Sequence, residues 1–122
     1  MQAIGVDIVE NNRIAVLIQK HGERFLNRVF TPQELGYCRG RIPSLAARWA
    51  AKEAMSKAFG TGIGDVAFKE IEVLVNPRGK PNIALHGKAR QLARELGFFN
   101  ILLSLSHTDD YAVAFVTASG KQ

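Results

Sequence analysis

The sequence has a single cysteine, Cys38, among 122 residues. That excludes an internal disulfide and a cysteine-rich zinc site. A reducing, cytosolic setting fits, with Cys38 read as structural. Long apolar runs are also missing. None approaches the ~20 residues needed to span a bilayer, so no membrane partner is expected. The segment MQAIGVDIVE lacks a basic stretch followed by an apolar one, and no secretory signal is expected. There is no repeat, low-complexity tract or domain-splitting linker, and one domain over 1–122 is expected. No Gly-Lys-Ser/Thr phosphate loop occurs. Gly60-Thr61-Gly62-Ile63-Gly64 follows a helical stretch rather than a strand, so it fails the test for a dinucleotide fingerprint.

Acidic residues are the scarcer charge: 11 against 16 Lys/Arg, a net charge of +5. The excess is uneven. Residues 1–60 hold nine basic residues against five acids, residues 61–122 seven against six. The first half is therefore the better candidate to meet an anion, whether nucleic acid, a phosphate-bearing cofactor or an acidic protein. A solvated basic surface explains the same numbers. A chain of this size has little spare area for a deep pocket, which favours a site built between subunits.

Hydrophobic periodicity and punctuation predict strands at Ala3–Val9, Glu70–Val75, Asn82–His86, Ile101–Ser106 and Tyr111–Ala118. Helices are expected at Asn11–Lys20, around Glu23–Val29, and from a Thr31-Pro32-Gln33-Glu34 capping box. The longest helix is Leu45–Phe59, capped by Ser44 and stopped by Gly60. Asn76–Lys80 reads as a hairpin turn. The order, β-α-α-α-β-β-α-β-β, predicts an α+β fold with an antiparallel sheet packed by helices.

Two places can carry chemistry. Asp7 lies in the apolar strand Gly5-Val6-Asp7-Ile8-Val9, on the face of Gly5 and Val9. It is either a carboxylate with a cation beside it or a strand-end residue capping the next helix. On the long helix, at about 100° per residue, Trp49, Glu53, Ser56, Lys57 and Gly60 share one stripe. Ala51, Met55 and Phe59 lie opposite and suit a core. A carboxylate, a hydroxyl and an ammonium leading into a glycine-rich loop can hold Mg²⁺ and phosphates. Glu53 and Lys57 at i,i+4 can equally be a surface ion pair. Arg48 lies off the stripe, where it either snorkels or serves a site completed by another subunit. Lys52 flanks the stripe. His107 sits in a turn and can donate to a phosphate or ribose. Asp109 and Asp110 read as turn formers.

Three segments together resemble the short bacterial holo-[acyl-carrier-protein] synthases, a branch of the phosphopantetheinyl transferases. They are Gly5–Glu10 with Arg13-Ile14, Arg48–Gly64, and Leu105–Thr108 with Tyr111-Ala112. Phe30–Leu35 and Asn76–Pro81 are more weakly similar. The resemblance implies transfer of 4′-phosphopantetheine from coenzyme A to a serine of apo-acyl carrier protein, releasing adenosine 3′,5′-bisphosphate, in fatty acid biosynthesis. It implies that Asp7 and Glu53 bind Mg²⁺ and that Lys57 stabilises charge on the bridging phosphate. Either Glu53 or a water is the proton acceptor. Arg48, Ser56, Gly60, Gly79, Lys80, Pro81 and His107 are implied as coenzyme contacts, and Arg13, Arg24 and Arg28 as the face for the acidic carrier. A homotrimer with shared sites is implied too. The longer members of the superfamily carry Asp-x-Glu at the first metal position. Here residue 9 is Val, leaving two protein ligands.

Two other readings compete. A nucleic-acid-binding domain predicts aromatics among Lys/Arg on an exposed sheet, but the strands read as mainly aliphatic. A non-catalytic basic module for acidic helices needs Arg13 but has no use for Asp7, Glu53 and Lys57.

Overall fold

The computed structural model describes residues 2–60 and 65–120. Its elements run β1 (Gln2–Glu10), α1 (Asn11–His21), α2 (Glu23–Val29), α3 (Pro32–Cys38), α4 (Ile42–Phe59), a 3-10 turn (Phe68–Glu70), β2 (Ile71–Val75), β3 (Pro81–Leu85), α5 (Gly87–Leu96), β4 (Asn100–His107) and β5 (Tyr111–Ser119). The α+β class is as expected. Four helices separate β1 from β2, one more than the expected element order counted, and the helix expected from the Thr31 capping box is one of them. Thr31 N donates to Glu34 Oε1 at 2.9 Å, and Glu34 N donates to Thr31 Oγ1 at 3.2 Å.

The strands make two antiparallel sheets instead of one. β1, β5 and β4 form a three-stranded sheet in that order, and β2–β3 is a separate hairpin. β3 lies beside β4 without sharing a ladder. Within the larger sheet Asp7 pairs with Ala114, and His107 pairs with Ala112. Asp7 and His107 therefore occupy opposite edge strands.

Helix α4 packs on β1 and β5. It begins before the expected Ser44, at Ile42, because Pro43 is compatible with a first turn. Its N-cap, Arg41, makes no side-chain cap bond, and Gly60 ends the helix in the left-handed region at φ 84°. Small side chains dominate the contact: Ala50, Ala51, Ala54 and Ala58 on the helix, Ala112, Ala114 and Ala118 on β5, all buried. The closest approach is at Gly5, where a Cβ would stand 1.8 Å from the carbonyl oxygen of Ala54. Only glycine lets strand and helix backbones come this close. The contact sets Asp7, two residues along on the same face, against α4. The other face of the sheet is exposed and apolar, with Ile4, Val6 and Ile8 on β1, Leu102 on β4 and Phe115 on β5. Among the described residues no helix is long and apolar enough to cross a membrane.

Candidate active site

Asp7 lies where β1 packs on α4. It does not cap α1, whose N-cap is Glu10 with no side-chain bond. Instead Lys57 Nζ donates to Asp7 Oδ1 at 3.1 Å and to the Val6 carbonyl at 3.0 Å. The pair is half open, with the Lys57 side chain 54% and the Asp7 side chain 16% exposed. Glu53, one turn back on α4, is partly buried. Its carboxyl is held above the ordinary glutamate range first by burial and then by the negative charge of Asp7, against the opposing charges of Lys57 and Arg13. A partly buried carboxyl that feels the charge of Asp7, beside an Asp7 already paired with Lys57, gives a pair of hard oxygen donors suited to a divalent cation. Among the described residues no group of three or more His, Cys, Asp or Glu side chains could hold a metal. Arg13 lies 5.7 Å from the centroid of the Trp49 ring, which ties its guanidinium to this end of the site.

A cavity of about 240 Å³ holds a second group of the expected residues. Arg48, Tyr37, Ser44, Gly79, Pro81 and His107 are among its lining. Arg48 is buried, and its guanidinium lies 4.7 Å from the Tyr37 ring centroid. One guanidinium nitrogen donates to Ser44 O at 3.3 Å, while its Nε is buried without a partner. An unpaired buried donor in a cavity wall is a waiting contact for an acceptor. Gly79 and Pro81 come from the hairpin turn, which Asn76 closes by accepting from Arg78 N and Lys80 N at 2.9 Å each. His107 enters from the end of β4. Asn11 fixes the turn that follows by donating from Nδ2 to the carbonyls of Thr108 and Asp109 at 2.9 and 3.0 Å.

Several expected residues fall elsewhere. Ser56 is not on an open stripe. It has no exposure, and its hydroxyl donates back to the Lys52 carbonyl at 2.9 Å, so the expected open stripe is corrected at this position. Trp49 is buried too, stacked on Phe68 at 4.9 Å. Lys80 is exposed and lines a neighbouring depression with Asn76 and Asn82. Gly60 is exposed at the helix end; the loop residues 61–64 that were to offer backbone N–H groups lie outside the described residues. Arg24 and Arg28 line a shallow depression of about 220 Å³ with His21 and Phe25. Tyr37 was missed because nothing local in the sequence points it at Arg48.

A family model described as the 4′-phosphopantetheinyl transferase superfamily matches residues 3–116. The holo-[acyl-carrier-protein] synthase of Halothermothrix orenii is 47% identical over 119 residues, 95% of each chain. That of Koribacter versatilis is 50% identical over 116 residues, 92% of this chain and 93% of the other. The fold is similar to the crystal structure of Helicobacter pylori holo-[acyl-carrier-protein] synthase in complex with coenzyme A. The TM-score is 0.88 at 32% identity, covering 95% of this chain and 99% of that one. With matches of this extent in both sequence and fold, the chain belongs to the holo-[acyl-carrier-protein] synthases of the 4′-phosphopantetheinyl transferase superfamily.

Proposed function

We propose that this chain carries 4′-phosphopantetheine from coenzyme A to a serine of an acidic acyl carrier protein, with the reacting groups gathered at Asp7, Glu53 and Lys57. The Lys57–Asp7 pair that joins α4 to β1 at 3.1 Å, with Glu53 one turn back on α4 and within reach of both charges, carries this reading. The serine oxygen forms a bond to the phosphorus that bears the pantetheine. The bond from that phosphorus to the oxygen shared with the adenosine side breaks, and adenosine 3′,5′-bisphosphate leaves.

Asp7 and Glu53 would hold Mg²⁺, which when bound supplies positive charge against the pyrophosphate. Lys57 already faces the same carboxylate and adds its charge as the leaving oxygen becomes negative. Glu53, or a water it orients, takes the serine proton. Arg48, Gly79, Pro81 and His107 line the cavity for the coenzyme, and the orphaned Arg48 Nε has an acceptor there once an anionic ligand is present. Arg13, Arg24 and Arg28 offer the acidic carrier a basic face, so transfer slows as salt rises.

The two halves of the site stand on opposite edges of the three-stranded sheet, Asp7 on β1 and His107 on β4. One outward sheet face is apolar, with Ile4 62% and Ile8 65% exposed. A surface of that kind is normally covered. A homotrimer that buries it and brings one copy's Asp7 edge to the next copy's His107 edge completes the site; a cytosolic location goes with this reading. Sedimentation at micromolar concentration should give three times the chain mass, and a monomer would refute the shared site.

The activity test is direct. Incubation with coenzyme A, Mg²⁺ and an apo-carrier protein should add the mass of one phosphopantetheine to the carrier. Glu53→Gln should abolish that gain. Turnover retained by the variant would refute the metal role, and no gain with the unaltered chain would refute the function.

A further inference from the structure

We propose that the buried Lys52–Glu34 pair is a positioning device that sets the width of the Arg48–His107 cavity. It does so by clamping the β2–β3 hairpin to α4.

Lys52 and Glu34 are both without exposure and joined at 2.9 Å. Lys52 has three N–H donors, and each has its own acceptor: Glu34 Oε1 at 2.9 Å, Phe68 O at 3.0 Å and Ile71 O at 2.6 Å. Both oxygens of Glu34 are committed as well. Oε1 also accepts from Thr31 N at 2.9 Å, and Oε2 accepts from Val73 N at 2.8 Å. Thr31 Oγ1 then donates to Glu72 Oε2 at 2.5 Å, and Glu72 Oε1 meets His86 Nε2 at 3.0 Å. One directional network thus joins α4, the start of α3, the 3-10 turn and the open base of the hairpin, where the chain enters β2 and leaves β3. An apolar pair of similar volume could fill this space without loss of stability. What it could not do is fix direction, because apolar contact has none.

The placement gives that direction a use. Lys52 lies one turn beyond Arg48 on α4, and helical geometry sets the two on the same side. The hairpin lies beside β4 but shares no ladder with the three-stranded sheet, so no backbone hydrogen bonds from the larger sheet fix its register. Its base, at Ile71 and Val73, is bonded to the network. Its far end supplies Val75, Gly79 and Pro81 to the cavity. Arg48 from α4 and His107 from β4 join these residues in its lining. A shift at the base is carried along the strands to the tip, and the gap between the tip and these two side chains changes. Lys52 touches no cavity atom itself. It acts through the hairpin.

This inference rests on the reading of the cavity as the coenzyme site, and the experiment separates the two. In the phosphopantetheinyl transfer assay, His107→Ala should raise KM for coenzyme A if the cavity holds the coenzyme. Lys52→Met should also raise that KM, by about tenfold, with kcat changed less than about threefold. Amide hydrogen exchange should quicken in 71–85 and stay unchanged in β1 and β5. If His107→Ala leaves KM alone, the cavity reading falls and takes the inference with it. If His107→Ala raises KM while Lys52→Met does not, the positioning role is overturned. If exchange quickens in β1 and β5 as much as in the hairpin, the pair is general core support and the inference fails. Should Lys52→Met not fold, Lys52→Met with Glu34→Gln leaves no unpaired buried charge and keeps a capping-box residue. The same KM and exchange readouts apply to it, and loss of the fold in both variants overturns the proposal.

Discussion

Helix α4 carries two lysines five residues apart, and each faces a carboxylate at nearly the same distance. Lys52 meets Glu34 at 2.9 Å with neither side chain exposed, and Lys57 meets Asp7 at 3.1 Å with its own side chain more than half exposed. The chemistry of the two contacts is alike, but their surroundings are not. Lys52 has used every donor on fixed acceptors, and burial holds its ammonium below the ordinary lysine range despite the charge and hydrogen bond of Glu34. Among the described residues Lys57 has one charged partner and one carbonyl, and more than half of its side chain is exposed. Desolvated pairs resist rearrangement because either partner left alone is costly. Solvated pairs exchange partners cheaply. The inner lysine is therefore suited to hold a shape, and the outer one to give up its carboxylate when a cation and a phosphate arrive.

The largest effect should come from the outer group and should appear in rate rather than stability. Glu53→Gln or Lys57→Met should lower kcat by about a thousandfold, the scale of removing one preorganised charge-stabilising group. Lys57→Met should change stability by less than about 1 kcal/mol, since the pair is solvent-screened. Transfer kinetics beside urea unfolding tests this. A large loss of stability in Lys57→Met would erase the contrast with Lys52.

The inner pair should invert that pattern. Lys52→Met strands the Glu34 carboxylate in the core and should cost about 3–5 kcal/mol in urea unfolding. Replacing both partners with Met and Gln should recover part of that loss. No recovery would mean that the missing packing, and not the stranded charge, sets the cost. A third variant probes how the outer pair is assembled. Gly5→Ala puts a methyl group against the Ala54 carbonyl and should cost about 1–3 kcal/mol by overpacking. It should also push β1 from α4 and so weaken Mg²⁺ binding, which leucine-sized changes elsewhere on the outward face, such as Ile4→Leu, should not do.

This division was only partly legible in the sequence. Asp7, Glu53 and Lys57 could be picked out because strand alternation and helix spacing are local rules, and the Thr31–Glu34 capping box for the same reason. Those rules failed where the helix had no single wet face. Nearly all of α4 from Leu45 to Phe59 is buried, with Glu53 and Lys57 the exceptions, so a wheel that assumes one inner and one outer side misplaced Ser56 and Trp49. Lys52 read only as a residue flanking the stripe, because its partner stands 18 residues earlier, on another helix. A charge is buried only when its acceptors are already in place, and nothing within a turn of Lys52 announces them. The split into two sheets was hidden likewise, since β1 pairs with the last strand of the chain.

The smallest effect expected is a pair of opposed pH dependences. Burial and the charge of Asp7 raise Glu53 above its unfolded value. Its contribution to stability is therefore fully present below the unfolded glutamate range, about 4.3, and is lost as pH rises through the elevated value. In EDTA, Glu53→Gln should melt slightly higher than the unaltered chain at pH 7, and the gap should close in acid. Glu72 has the opposite sign. Burial pushes it up, but the hydrogen bonds from Thr31 and His86, with the charges of His86 and Lys52, outweigh burial and hold it below the ordinary range. Its contribution is present above the unfolded value and is lost as pH falls through the lowered one. Glu72→Gln should therefore melt lower than the unaltered chain at neutral pH, with that deficit also closing in acid. Melting curves from pH 3 to 8 separate the two signs. A Glu53→Gln variant that melts lower at pH 7 would mean that burial and the charge of Asp7 do not raise Glu53, and the contrast with Glu72 would be lost.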